Sequence, residues 1–278
     1  MLRTRLWMGA LLIALAVGVL ALDGYFDRWH PFLFVLVLAL ALLSCFEMLH
    51  LLPAELRPPR WLCFGGVAAV AAANWPAHLL QGVPGPWAWV AGTFAAVVLS
   101  AFLAEMATFR EPGRSVARIA VATWAVAYLA LLPSFFAQLG WLPCGAVGLA
   151  LAVFVPKCCD IGAYFTGRLL GRHRMTPVLS PKKTWEGLAG GLTVSVLAAV
   201  GINRLGPVLP GGAWTDLAAV GFGLTVGVAG VLGDLAESLI KRDCQRKDAS
   251  QVVPGFGGVL DVVDSIVFAA PVAYCWLG

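Results

Sequence analysis

Asp234, Glu237, Ser238 and Lys241 stand at i, i+3, i+4 and i+7, a spacing that puts all four on one face of a helix. Asp261 and Asp264 repeat the three-residue step just after the glycine-rich turn Val253-Pro254-Gly255-Phe256-Gly257-Gly258. One set follows an apolar run and the other opens one, so Asp234 is expected to end a membrane helix at the depth where Asp261 begins the next. Carboxylates at matching depth on adjacent helices repel one another unless a cation lies between them. Oxygen donors without histidine suit Mg2+, which binds through one or two carboxylates plus substrate phosphates. Gly255, Gly257 and Gly258 let backbone N–H groups approach phosphate oxygens, although a plain helix-entry turn has the same composition.

A second polar stretch lies upstream. It begins Pro156-Lys157-Cys158-Cys159-Asp160 and ends Ser180-Pro181-Lys182-Lys183-Thr184-Trp185-Glu186-Gly187. Asp160 is expected to close an apolar helix, and an acid at that depth needs a cation, Lys157 being the nearest in sequence, or solvent at the interface. Ser180-Pro181 before Lys182 and Lys183 reads as a helix start whose N–H groups and ammoniums face an anion. A blander reading stands beside each of these. The lysine pair alone is a common membrane anchor, and Glu237 with Lys241 or Arg242 is a common intrahelical ion pair.

These residues sit in a chain that cannot be a soluble globule. Of its 278 residues, 60% are hydrophobic and only 12% charged, about half the charge of an average soluble domain. Nine apolar runs are long enough to cross a bilayer, over about 6–22, 31–52, 61–80, 87–104, 116–136, 142–159, 187–203, 214–233 and 259–277. Pro/Gly breakers such as Arg57-Pro58-Pro59-Arg60 and Gly82-Val83-Pro84-Gly85-Pro86 separate several of them. The basic start Arg3-Thr4-Arg5 before the first run has the form of a signal peptide, but apolar spans continue to the last residue, so that run reads as the first anchor.

The expected fold is therefore an all-α integral membrane protein of about nine transmembrane helices. With the N-terminus cytoplasmic and the C-terminus outside, every Lys and Arg except Arg28 and Arg204 falls on the cytoplasmic side. The chain is read as a single membrane domain, residues 1–140 supplying N-terminal helices and 141–278 the catalytic half, with cytoplasmic loops 157–186 and 234–258. Seven scattered cysteines, without CxxC spacing, imply neither a disulfide framework nor a zinc site. No internal repeat supports a duplicated transporter architecture.

The string Ser238-x-x-Lys241-Arg242, Lys247-Asp248, Pro254-Gly255-x-Gly257-Gly258-x-x-Asp261-x-x-Asp264 resembles the signature of phosphatidate cytidylyltransferases (CDP-diacylglycerol synthases). Asp160-x-x-Ala163-Tyr164-x-x-Gly167-Arg168 and Ser180-Pro181-Lys182-Lys183-Thr184-x-Glu186-Gly187 resemble a second block of that family, in the right order and distance. The resemblance covers about residues 155–268. Two positions depart from it: Phe256 stands where the family generally has His, and Val262 where it has Arg.

The resemblance implies transfer of CMP from CTP to phosphatidate, with release of pyrophosphate, for phospholipid synthesis at the bacterial inner membrane. A phosphatidate phosphate is already mostly ionised at neutral pH, so the task is to overcome repulsion between anions rather than to create a nucleophile. The roles implied are Asp234 and Asp261 on Mg2+, with Asp264 and Ser238 in support. Lys241, Arg242 and Lys247 would hold phosphates on one side and Lys182 and Lys183 on the other. Ser180, Asp248, Gly255, Gly257 and Gly258 complete the substrate contacts, and Asp160 and Glu237 stand behind the metal as supporting acids. Expected partners are CTP, phosphatidate and membrane lipid, with a homodimer by analogy with the family; nucleic acid is not among them. Other readings are a CTP-dependent enzyme on another lipid, either a polyprenol-type kinase or an archaeal-lipid cytidylyltransferase, and an ion-coupled transporter. The last would place its acids near mid-membrane and in repeated halves.

Overall fold

The computed structural model describes residues 2–26, 29–205, 214–250, 252–253 and 257–278. In chain order the helices are α1 (Leu2–Asp23), α2 (Pro31–Leu51), α3 (Arg60–Ala72), α4 (Pro76–Leu79), α5 (Pro86–Thr108), α6 (Ser115–Val126), α7 (Leu132–Leu139) and α8 (Gly145–Leu170). A short antiparallel hairpin follows, β1 (Arg174–Thr176) and β2 (Ser180–Thr184), and then α9 (Trp185–Leu205), α10 (Asp216–Asp243) and α11 (Val259–Leu277). Among the described residues, eight helical segments are long and apolar enough to cross a membrane. The protein is an all-α integral membrane protein. The first apolar run is also helical, in α1, where the apolar stretch Trp7–Asp23 is shorter than the eight.

Two compact units make up the chain. One comprises Met1–Ala137 and Asp248–Val262, the other Gln138–Lys247 and Val263–Gly278. Sequence order alone assigned residues 248–262 to the C-terminal half; they group with the N-terminal helices because a carboxylate on α2 holds them there.

In the first unit, Leu33, Met48, Val67, Val70, Val90, Val126 and Leu129 are almost completely buried. Polar groups inside it are used to close helix ends. Asp23, itself buried, accepts hydrogen bonds from the N–H groups of Phe32 (2.9 Å) and Leu33 (2.8 Å), two of the donors that a helix start leaves without an internal partner. α6 runs into α7 through a wider turn at Ala127–Leu131, where the N–H of Leu132 reaches the carbonyl of Ala127. Pro133 follows immediately, and a proline inside a helix removes one donor and crowds the carbonyl four residues back, which the widened turn relieves.

In the second unit, α8, α9 and α10 pack closely around Leu151, Ala199, Phe222 and Val226. Small residues permit the approach: a side chain at Gly191 of α9 would press on the carbonyl of Cys159 in α8, and one at Gly233 of α10 on the carbonyl of Asp264 in α11. Large apolar side chains point outward along these helices, Leu197, Leu217 and Leu232 among them, as suits a lipid-facing surface.

Three expectations about helix ends are corrected. α8 does not close at Asp160 but continues to Leu170, and α10 does not end at Asp234 but continues to Asp243, so much of both expected cytoplasmic loops is helix. A polar residue does not stop a helix when its side chain finds a partner inside the protein, and Asp160 and Asp234 both do. Ser180-Pro181 does not start a helix; it lies in β2, paired with β1 in the register Thr176 to Ser180 and Arg174 to Thr184. The helix start falls at Trp185. Thr184 Oγ1 accepts from the N–H of Gly187 (3.1 Å), and Glu186 brings a negative charge to the first turn, where it is electrostatically favoured.

Candidate active site

In the second unit the close contact of Gly233 with α11 sets Asp234 opposite Asp264. One turn further along α10, Glu237 joins them: oxygens of Asp234, Glu237 and Asp264 all lie within 4.8 Å of one another. Asp234 is about one-third exposed at 31% of its side chain, whereas Glu237 (1%) and Asp264 (9%) are buried. Each acid meets a lysine. Lys183 Nζ is 2.7 Å from Asp234 Oδ2, Lys241 Nζ is 2.5 Å from Glu237 Oε2, and Lys157 Nζ lies between Asp264 Oδ1 (3.4 Å) and Asp160 Oδ2 (3.6 Å). Ser238 Oγ donates to Asp234 Oδ1 at 3.4 Å.

The ion pairs suggested by spacing alone therefore exist. Lys157 pairs with Asp160, and Glu237 with Lys241 along one helix. Glu237 to Arg242 is not such a pair: the Arg242 guanidinium donates from Nε to the carbonyl of Leu179 and from Nη1 to that of Arg246, fastening the hairpin to the end of α10. Among the described residues, four carboxylates (Asp160, Asp234, Glu237, Asp264) face three ammoniums (Lys157, Lys183, Lys241). This donor set, oxygen only and one acid in excess, is chemically suited to a hard divalent cation.

The hairpin delivers only one of its two lysines. Successive strand residues point to opposite faces, so Lys183 turns to Asp234 and Lys182 is exposed. Glu186 holds the base of the hairpin, accepting from the N–H groups of Arg172 (3.1 Å) and His173 (3.2 Å) and meeting His173 Nδ1 at 2.6 Å. The glycines of this block are spacers: a side chain at Gly187 would strike the carbonyl of Ala163, and one at Gly171 would strike Thr184. Ser180 is partly buried beside the turn, its carbonyl accepting from Thr176 Oγ1 at 3.4 Å. α10 itself ends in a left-handed residue, Gln245 (φ 55°), with the N–H of Arg246 returning to Lys241 and that of Gln245 to Arg242. Lys247 is exposed beyond that turn.

The glycine-rich turn belongs to the first unit. Val253 and Gly257 exchange both backbone hydrogen bonds (2.8 and 3.0 Å), and Gly257 adopts φ 108°, a conformation that favours glycine. Asp261 Oδ2 accepts from the N–H groups of Gly258 (2.7 Å) and Ala249 (3.2 Å). Asp248 is exposed. Gly255 and Phe256 lie outside the described residues.

Two residues have partners that local spacing does not mark. Spacing pairs Lys157 with Asp160, yet it also reaches Asp264, 107 residues away. Glu47, buried in α2, contacts the turn before α11. A lone acid inside an apolar run was the available signal for the second.

The polar cluster of this helical membrane protein thus opposes carboxylates to lysines. The chain belongs to the Cytidylyltransferase family, whose sequence model matches residues 3–278. Among its relatives, a phosphatidate cytidylyltransferase of Haemophilus influenzae is 45% identical over 129 residues, 44% of this chain and 43% of that protein. One of Synechocystis is 42% identical over 132 residues, 48% of this chain and 43% of the relative. One of Mycobacterium bovis is 33% identical over 169 residues, 59% and 52% of the respective chains. The matches thus span about half the length of these curated relatives.

Proposed function

We propose that the protein transfers CMP from CTP to phosphatidate, giving CDP-diacylglycerol and pyrophosphate. The observation that carries this reading is the cluster of four acids on membrane helices with two helical lysines and one from the hairpin, in a cytidylyltransferase-family chain. In the reaction, an oxygen of the phosphatidate phosphate attacks the α-phosphorus of CTP. A P–O–P bond forms, the α–β bond breaks, and pyrophosphate leaves with the electron pair.

No general base is required, because the attacking phosphate is already ionised. What the protein must supply is cationic surroundings for two polyanions. Lys183 and Lys157 are available for this because each is held by carboxylates that can exchange an ammonium for another cation. Arg242 ties the hairpin that carries Lys183 to α10, so its contribution includes placing that lysine. Lys241, buried against Glu237, supports the inner side of the cluster, and exposed Lys182 and Lys247 meet the substrate's outer phosphates.

Asp234 and Asp261 are the Mg2+ ligands that the motif implies, with Glu237 and Asp264 as the acids that converge with Asp234. A bound divalent ion would offset charge on the transferring and leaving phosphates.

The same reading sets the cluster on the cytoplasmic face of a bacterial inner membrane, where CTP is available. The basic residues favour it. A contact inside the first unit agrees with the order of the spans: the C-terminal end of α2 and the N-terminal start of α11 are hydrogen bonded and must share one side of the membrane, which requires an even number of crossings between them. Six of the eight apolar segments lie there.

The test uses the purified protein in mixed micelles with phosphatidate, Mg2+ and CTP labelled at the α- or the γ-phosphate. Label from the α position in lipid, abolished by EDTA, is the expected result. Label from the γ position would identify a lipid kinase, and no lipid-dependent label would overturn the assignment. A reporter after Gly278 reading as cytoplasmic would overturn the topology.

A further inference from the structure

The start of α11 lacks the side chain that usually closes a helix start. Asp261, the third helical residue, reaches back to the N–H of Gly258, which is one half of a capping box. The other half is normally a Ser, Thr, Asp or Asn side chain at the capping position, and Gly258 has none. Glu47 supplies it from α2. Its Oε1 accepts from the N–H of Val259 at 2.9 Å and its Oε2 from that of Leu260 at 2.8 Å, across 212 and 213 residues of sequence. Ser250 Oγ adds a donor to Oε1 at 2.6 Å. The carboxylate is 2% exposed and fills the space where a side chain at 258 would stand, since an added Cβ there would strike it.

We propose that Glu47 is a positioning residue for the reaction: it provides in trans the cap of α11 and thereby sets Asp261 and the turn Gly257–Gly258. This role rests on the cytidylyltransferase reading above. Two carboxylates share the work at this helix end. Glu47 holds the N–H groups of residues 259 and 260, and Asp261 holds those of 249 and 258. Without Glu47, the two orphaned donors compete for the Asp261 carboxylate, and the residue that the motif gives to the metal is drawn into capping instead. The proposal also explains why residue 258 is glycine without invoking phosphate. Its backbone is not in the left-handed region, and the Glu47 carboxylate stands where a small side chain would go.

The test compares Glu47→Gln, Glu47→Ala, Gly258→Ser and the double variant Glu47→Ala/Gly258→Ser, each purified in detergent. Glu47→Gln should lower kcat about 10- to 100-fold, the scale on which small misplacements act. It should raise the Mg2+ concentration for half-maximal activity several-fold and leave KM for phosphatidate within about twofold. Hydrogen exchange should quicken at Val259 and Leu260. Gly258→Ser alone should be impaired because the new side chain meets Glu47. In the double variant the serine occupies the vacated space as a cap in cis, restoring exchange protection and at least about tenfold of the lost kcat. Additive losses in the double variant, or a Glu47→Gln enzyme with unchanged kcat and Mg2+ dependence, would overturn the role. If Glu47 variants do not fold, a fully active Gly258→Ser protein overturns it. A wild type without CMP transfer would overturn the function and the positioning role together, with the exchange data still deciding whether Glu47 is the cap.

Discussion

The two units treat the carboxylates that face their interiors differently. In the first, Asp23, Glu47 and Asp261 accept hydrogen bonds from backbone N–H groups at helix starts, Glu105 instead meeting Arg118 at 3.8 Å. In the second, Asp160, Asp234, Glu237 and Asp264 face lysine side chains. A backbone donor cannot leave without undoing the helix end, so the first kind of acid is committed to structure. An ammonium on a flexible stem can swing to a phosphate while its carboxylate takes another cation. The second kind is thus suited to exchange, which the proposed transfer between two polyanions demands. Asp261 spans the two roles, a capping acid to which the motif also gives the metal.

Changing the acids should separate these roles. The largest effect is expected for Asp234→Asn, which should reduce CMP transfer by about three orders of magnitude, as removal of a metal or charge-stabilising group does, with little change in unfolding temperature. If turnover survives, the exchangeable cluster is not the reacting site. Lys183→Met should follow at about 100-fold, while Lys182→Met costs less than about threefold, because the strand turns only the first toward Asp234. Equal losses from the two would contradict the opposed faces of β2; steady-state kinetics at saturating Mg2+ distinguishes them.

Lys157→Met should cost about tenfold and lower stability as well, since it leaves Asp264 buried without its ammonium. The smallest effect on chemistry is expected for Asp23→Ala: about 2 kcal/mol of stability from two lost charge-assisted caps, with unchanged activity per folded molecule. Denaturation monitored in micelles, alongside turnover corrected for folded protein, would show whether a first-unit acid is structural only.

Much of this protein is written locally. Hydropathy marks the long apolar helices because the bilayer imposes their length, and the i, i+3, i+4, i+7 spacing of Asp234, Glu237, Ser238 and Lys241 places them on one face because a helix is regular. Those four residues do share a face, and Asp234 and Glu237 do converge with Asp264. The limits of the helices were less legible. Asp160 and Asp234 read as helix ends because an isolated acid is costly in lipid, whereas Lys157 one turn before Asp160 and Lys183 on the hairpin pair with them inside their helices.

Ser180-Pro181 looked like a helix start for a similar reason. Its pattern satisfies the local rules for a cap, while the pairing of β2 with β1 and the real cap at Thr184 depend on residues on the other side of a turn. The sequence by itself determined a helical membrane protein with its candidate site residues gathered in two polar stretches. Tertiary structure alone decided which lysine turns inward, that Lys157 serves two acids, and that Glu47 caps a helix more than 200 residues away. Local spacing is set by backbone geometry. A partner distant in sequence is set by whichever opposite charge or donor the packed helices bring within about 3 Å of a buried charge, and no local pattern encodes that choice.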